Sequence, residues 1–279
     1  MAADATVIDG RHTYRLQSLG RVFGWFFLAT FFTSIPAYFI GYARILEDPG
    51  LITGAGADPT TGVAAAATLE VFLIIANVAT AVVAYPVLKR ESEIGAVGYV
   101  SARLVEGVFI AIGLVSALAF ILMRQEATAV SDPVIGEGLV ALYYRAFLVG
   151  PGFMAGLANG VILGYLMYRS GLVPRGVAIL GLIGGPLVMA TGIAIMFDAI
   201  ERGGTIQVIA TIPEFFWELS LSIYCIVKGF RPFSHPRNGV RDDAARVRQR
   251  LQAPCLGDIM RSGSRRTVSI LPNCSGVRY

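Results

Sequence analysis

The sequence predicts an all-α fold, a polytopic membrane bundle of six transmembrane helices. Three observations carry that prediction. Of 279 residues, 55% are hydrophobic and only 15% charged, against roughly 25% charged in an average soluble domain. The mean hydropathy is +0.64. The charge is also unevenly placed: of 23 Lys and Arg residues, 11 fall between Lys228 and Arg278. Together these features exclude a soluble two-domain enzyme, a nucleic-acid module and a disulfide-built secreted domain. No nucleic acid is expected as a partner, because the formal charge of +4 comes mostly from the tail.

Six segments are apolar over the roughly 20 residues that a helix needs to cross the hydrocarbon. They are Val22–Ala43, Val63–Leu88, Leu104–Met123, Leu139–Tyr168, Val177–Phe197 and Ile206–Val227. A barrel strand would show about ten alternating residues instead. Irregular backbone cannot face lipid, since its N–H and C=O groups would be unpaired. The first segment is longer than the roughly 7–15 residues of a signal-peptide core and follows a polar lead. The chain therefore divides into a lead at 1–21, a transmembrane domain at 22–230 and a basic tail at 231–279. The tail reads as a solvated, disordered cytoplasmic segment. The alternative is a short basic helix at Asp242–Leu251 lying against anionic headgroups.

Orientation follows from Lys and Arg near the span ends. The lead holds Arg11, Arg15 and Arg21, and the first loop Arg44. The second loop region holds Lys89, Arg90 and Arg103, and the third Arg124. The fourth holds Arg169 and Arg175, the fifth Arg202, and the final flank begins with Lys228 and Arg231. Rich and poor sides alternate throughout. The expectation is a multi-pass membrane protein with both termini cytoplasmic. The outer loops, Leu46–Thr61 and Gln125–Gly138, are acidic and rich in Gly and Pro, as exposed connections are.

Little points to an enzyme. The cysteines are Cys225, Cys255 and Cys274, without a CxxC pair, and the tail faces a reducing compartment on this topology. His12 and His235 both lie outside the spans, and no cluster has metal-ligand spacing. Gly181, Gly184 and Gly185 sit within a span rather than in a phosphate-binding loop. Neither a metal nor a cofactor is expected.

The informative residues are ionisable groups at membrane depth, which are costly and face bundle interiors or water-filled cavities. They are Glu70, Glu106, Arg145, Glu214 and Glu218. At 1.5 Å per residue, Glu70, Arg145 and Glu214 lie about 9–12 Å below the outer face. Glu218 is one turn deeper on the face of Glu214. Arg145 is therefore expected to pair with Glu70, Glu214 or Glu218. Arg103 and Glu106, at i and i+3, form an inner-end pair. Asn77 and Asn159 add two buried amides. Gly150-Pro151-Gly152, Gly184-Gly185-Pro186 and Pro213 interrupt the spans, as at transporter sites, although Gly and Pro also simply allow close packing.

Two readings of function follow. One is recognition or passage of a small solute or cation through a polar cavity in the outer half of the bundle. The other is a non-transporting structural or partner-binding membrane protein whose buried charges only fix helix packing. A third placement puts Arg145 at the headgroups, anchored with Tyr143 and Tyr144. The expected partners are the lipid bilayer and, on the first reading, a small solute or cation. Six helices make a small unit, so a homodimer is also expected on that reading.

Three stretches carry a family resemblance. They are Tyr85-Pro86-Val87-Leu88-Lys89-Arg90 with Gly98-Tyr99-Val100, Arg103 and Glu106; Tyr168 to Arg175 with Gly181-Leu182-Ile183-Gly184-Gly185-Pro186; and Pro213-Glu214-Phe215, Trp217-Glu218 with Lys228-Gly229-Phe230. In these the chain resembles the bacterial integral-membrane family known as domain of unknown function 4386, over roughly residues 15–233. The resemblance implies a multi-span membrane protein with no known activity, so no catalytic residue carries over. Arg103, Glu106, Arg169, Arg175, Glu214 and Glu218 match its motif positions.

Overall fold

Proline, glycine and serine punctuate the helices where the chain must turn. Ser92 accepts a hydrogen bond from the Gly95 N–H at 3.1 Å, capping the start of a helix that runs 33 residues. Asp58 accepts the Thr60 hydroxyl and N–H. These bonds hold its carboxyl below the usual carboxylate range. Gly171 adopts φ 71° and closes another helix through its N–H to the Met167 carbonyl, the left-handed C-terminal turn that glycine favours.

A computed structural model describes residues 2–43, 45, 58–125 and 133–233, with side chains at 14–43, 45, 58–125 and 134–233. Helix α1 is Ala2–Ala37, continued by a π-helical turn at Tyr38–Tyr42. Helices α2 and α3 are Thr60–Leu88 and Glu93–Gln125. Helix α4, Pro133–Phe147, runs on through π-helical stretches Leu148–Met154 and Gly156–Leu163 into α5, Gly164–Ser170. Helices α6 and α7 are Arg175–Met196 and Thr205–Lys228. Among the described residues there is no strand. Most of the first and third loops, residues 46–57 and 126–132, and the tail beyond 233 lie outside the described residues, as do the side chain of His12 and residues Arg44, His235, Cys255 and Cys274.

Six helical segments are long and apolar enough to cross a membrane: Tyr14–Tyr42, Thr60–Leu88, Glu93–Gln125, Val134–Ser170, Arg175–Met196 and Thr205–Lys228. The chain is a multi-pass, all-α membrane protein. Each span packs against its neighbours in sequence, and the first also packs against the sixth, so the bundle closes as a ring. Most spans extend past the expected apolar runs. In the third, helix begins at Glu93 rather than Leu104. Arg103 is therefore not at a helix end. It lies about 15 Å along α3 at 1.5 Å per residue. The lead is helical too, from Ala2 into the first span.

Two apolar cores hold the ring. One joins Phe23, Phe27, Leu88, Tyr99, Met167, Trp217 and Phe230. The other joins Tyr42, Val63, Phe120, Ile121 and Tyr143 near the opposite end. Glycines set the closest approaches. A Cβ at Gly181 would lie 2.6 Å from Trp217 Cε2, and one at Gly156 would lie 2.9 Å from the Gly185 carbonyl oxygen. Gly229 combines φ 70° with a backbone approach to Gln17 that leaves no room for a Cβ. The turn it makes buries Phe230 against Phe23, with ring centroids 5.5 Å apart.

Candidate functional site

The buried polar side chains fall into three groups. In the first, Glu70 of α2 receives the Tyr42 hydroxyl at 2.9 Å and the Tyr143 hydroxyl at 3.4 Å. The two tyrosine rings stack with centroids 4.4 Å apart. Both carboxylate oxygens are thus satisfied by phenols from the first and fourth spans.

The second group surrounds Arg103, which is 2% exposed. Its Nη1 meets Glu106 Oε2 at 2.8 Å. Its Nη2 donates to Asn77 Oδ1 at 2.5 Å and to Thr80 Oγ1 at 3.3 Å. The guanidinium carbon lies 5.6 Å from the centroid of the Phe27 ring. The expected Arg103–Glu106 pair exists, but it belongs to the bundle interior rather than to the inner end. Nε of Arg103 and Nδ2 of Asn77 have no hydrogen-bond partner.

The third group is built on α7. The i, i+4 spacing puts Glu214 and Glu218 on one helical face, within electrostatic range of each other. Asn159, in the second π-helical stretch, donates from Nδ2 to Glu218 Oε1 at 2.6 Å. Its backbone carbonyl accepts the Trp217 indole N–H at 3.1 Å and the Gly164 N–H. The latter is an i→i+5 bond, the π pattern that recurs at functional sites. Glu214 is 5% exposed, and neither of its carboxylate oxygens has a partner. Its Oε2 sits where a Cβ on Gly160 or Gly184 would fall, 2.8 and 2.7 Å away. Oδ1 of Asn159 is also buried without a partner.

The expected pairing of Arg145 is overturned. Arg145 is exposed, and its guanidinium lies over the neighbouring Tyr144 ring at 5.4 Å. Arg202 covers the same ring from 4.3 Å. Neither ion pair among the described residues involves Arg145. The helical turn that points Tyr143 inward to Glu70 turns the adjacent Arg145 outward, because residues two apart do not share a face. The cation that Glu218 meets electrostatically is Arg103. Tyr143, grouped with Arg145 as a surface anchor, is instead buried.

Glu70, Glu214 and Glu218 therefore do not cluster around Arg145. Glu70 stands apart with its tyrosines. Arg103, Glu106, Asn77, Asn159, Glu218 and Glu214 occupy the interior between the spans. Sequence reasoning missed Tyr42, Tyr143, Thr80 and Trp217. It also missed the Gly156, Gly160, Gly164 repeat at intervals of four, the small-residue signature of close helix contact. Among the described residues, no group of three His, Cys, Asp or Glu side chains could hold a metal ion.

Residues 22–229 match the model of a family described as Domain of unknown function (DUF4386). No curated protein and no solved structure matches the chain.

Proposed function

The chain belongs to the family Domain of unknown function (DUF4386), and within this multi-pass bundle we propose that it recognises a small cation or cationic solute at Glu214, Glu218 and Asn159. The observation that carries the reading is the Glu214 carboxylate, buried with both oxygens unpartnered. Leaving a buried carboxyl group without a hydrogen-bond partner is costly, and an ionisable residue at membrane depth is read first as a functional site. Charge balance supports the same reading. Arg103 is the one buried cation among the described residues; it acts on Glu106 and Glu218, and Glu214 is within electrostatic range of Glu218 alone. The unpartnered Oδ1 of Asn159 adds a neutral oxygen acceptor. Carboxylate and amide oxygens are the donor set for a hard cation or an ammonium group.

The Lys and Arg alternation supports an orientation with both termini cytoplasmic, and the family resemblance supports the plasma membrane of a bacterium. Passage of the solute across the membrane is the natural extension of recognition at an interior site. The ion-paired Arg103 network favours a second reading for that part of the bundle. Paired with Glu106 and bonded to Asn77 and Thr80, it fixes helix register without a ligand.

The test measures thermal unfolding of the purified protein in sodium, potassium and tetramethylammonium chloride at equal ionic strength and several pH values. The unfolding midpoint of the wild type is expected to depend on the cation or the pH. Glu214→Gln keeps the shape and removes the charge. It should abolish that dependence while holding or raising the midpoint, by roughly 2–4 °C per kcal/mol gained. A wild type indifferent to both variables would leave only the packing role.

A further inference from the structure

At one end of the bundle, α1 and the turn after α2 enclose a notch of about 220 Å³. Three cations line it: Arg15 from α1, and Lys89 and Arg90 from the turn. All three are exposed. The wall between them is apolar, made by Leu16, Leu19, Pro86 and Val87. The nearest acid in sequence, Glu91, is drawn away by Arg169, with Nε 3.1 Å from Oε1. The notch thus sets basic side chains beside an apolar floor.

Its size and place narrow the ligand. The volume is below the roughly 300 Å³ at which drug-sized sites begin, so it suits a headgroup rather than a whole solute. Lys89 and Arg90 directly follow Leu88, the last residue of the second span. On the adjoining face of α2, Val82, Tyr85, Val97, Val100 and Ser101 line a second groove of about 300 Å³ against α3. Lys89 bridges the two, its Nζ 5.3 Å from the centroid of the Tyr85 ring. A free phosphate would satisfy the cations and leave the apolar wall and groove without use. An amphiphile satisfies both.

We propose that the Arg15–Lys89–Arg90 notch binds the phosphate of an anionic phospholipid, with an acyl chain along the α2–α3 groove. Basic pockets between membrane helices hold headgroups in this manner. The site is separate from the Glu214 centre, and it stands or falls independently of the function proposed there.

The test uses the full chain in detergent, titrated with short-chain phosphatidylglycerol or phosphatidylcholine while thermal stabilisation is followed. The wild type should bind phosphatidylglycerol in preference to phosphatidylcholine. Near a headgroup each Lys or Arg contributes about a fivefold factor. Arg15→Gln with Lys89→Gln should therefore weaken phosphatidylglycerol binding roughly 25-fold and leave phosphatidylcholine unchanged. The control pair Arg175→Gln with Arg231→Gln removes two exposed cations outside the notch and should keep the preference. Equal loss in both pairs would reveal diffuse attraction and overturn the site. No preference in the wild type would also overturn it. Displacement of phosphatidylglycerol by inorganic phosphate would overturn the assignment to lipid.

Discussion

Arg103 and Arg145 show how much one helical step decides. Both are arginines within apolar segments, yet Arg103 is buried with four partners and Arg145 rests on a tyrosine at the surface. Removing one member of a buried ion pair leaves an uncompensated charge, typically at a cost of about 3–5 kcal/mol. Arg103→Leu should lose stability on that scale. Arg103→Leu combined with Glu106→Leu should lose less than the single change, because no charge is then stranded. Arg145→Gln should stay within about 0.5 kcal/mol, as surface substitutions do. Thermal unfolding in detergent reads all three. If Arg145→Gln proved as damaging as Arg103→Leu, the assignment of the two arginines would be reversed. The sequence announced Arg103–Glu106 through its i, i+3 spacing. It could not announce Asn77 and Thr80 as their partners, because those lie on another span.

Among the elements, the fourth span departs furthest from a regular helix. Pro151 lacks an N–H, and five glycines from Gly150 to Gly164 remove side-chain constraints. The backbone keeps its hydrogen bonds by shifting to the π pattern rather than unwinding. The interruption at Gly150-Pro151-Gly152 was legible as a break. Its form was not, since a π-helix is held by packing from both sides. That packing is tight at Gly160, where a Cβ would meet the Gly185 backbone and Glu214 Oε2. Gly160→Ala should therefore cost about 1–3 kcal/mol, the usual range for overpacking. It should also perturb the cation or pH response of Glu214. Gly176→Ala, in α6, has open space around its added Cβ and should be neutral or slightly stabilising. Thermal midpoints of the two variants decide this, and equal midpoints would contradict the close approach.

Across the whole molecule, the ring closes because the first and sixth spans meet. Gly24 makes that contact possible: a Cβ there would lie 2.8 Å from the Ile226 backbone nitrogen and the Ser222 carbonyl oxygen. An even number of spans returns the chain to the side where it entered. Reporter fusions after Arg90 and Arg175 should read cytoplasmic, and fusions after Arg124 and Arg202 should read on the opposite side. A cytoplasmic signal after Arg124 would be incompatible with six spans in this orientation. On the proposed orientation the Arg15–Lys89–Arg90 notch would lie at the cytoplasmic end and the Tyr144 ring, with Arg145 and Arg202, at the other.

What the sequence by itself determined is what depends on the solvent: six crossings, the helical class and the alternation of cationic loops. Each follows from the cost of exposing polar backbone or charge to hydrocarbon, a cost that accumulates along the chain and needs no partner. It also marked Glu70, Glu106, Glu214 and Glu218 as residues that need an explanation. Only the tertiary structure decided which explanation each receives. Depth along a helix is set by rise per residue, but partners are set by rotation about the axis and by the neighbouring span. Glu70 is answered by Tyr42 and Tyr143, Glu106 by Arg103 and Glu218 by Asn159, each of the first and third across spans far apart in sequence. Glu214 faces Gly160 of the fourth span and Gly184 of the fifth, which offer it no side-chain donor, because the close approach of those spans to the sixth leaves no room for a Cβ.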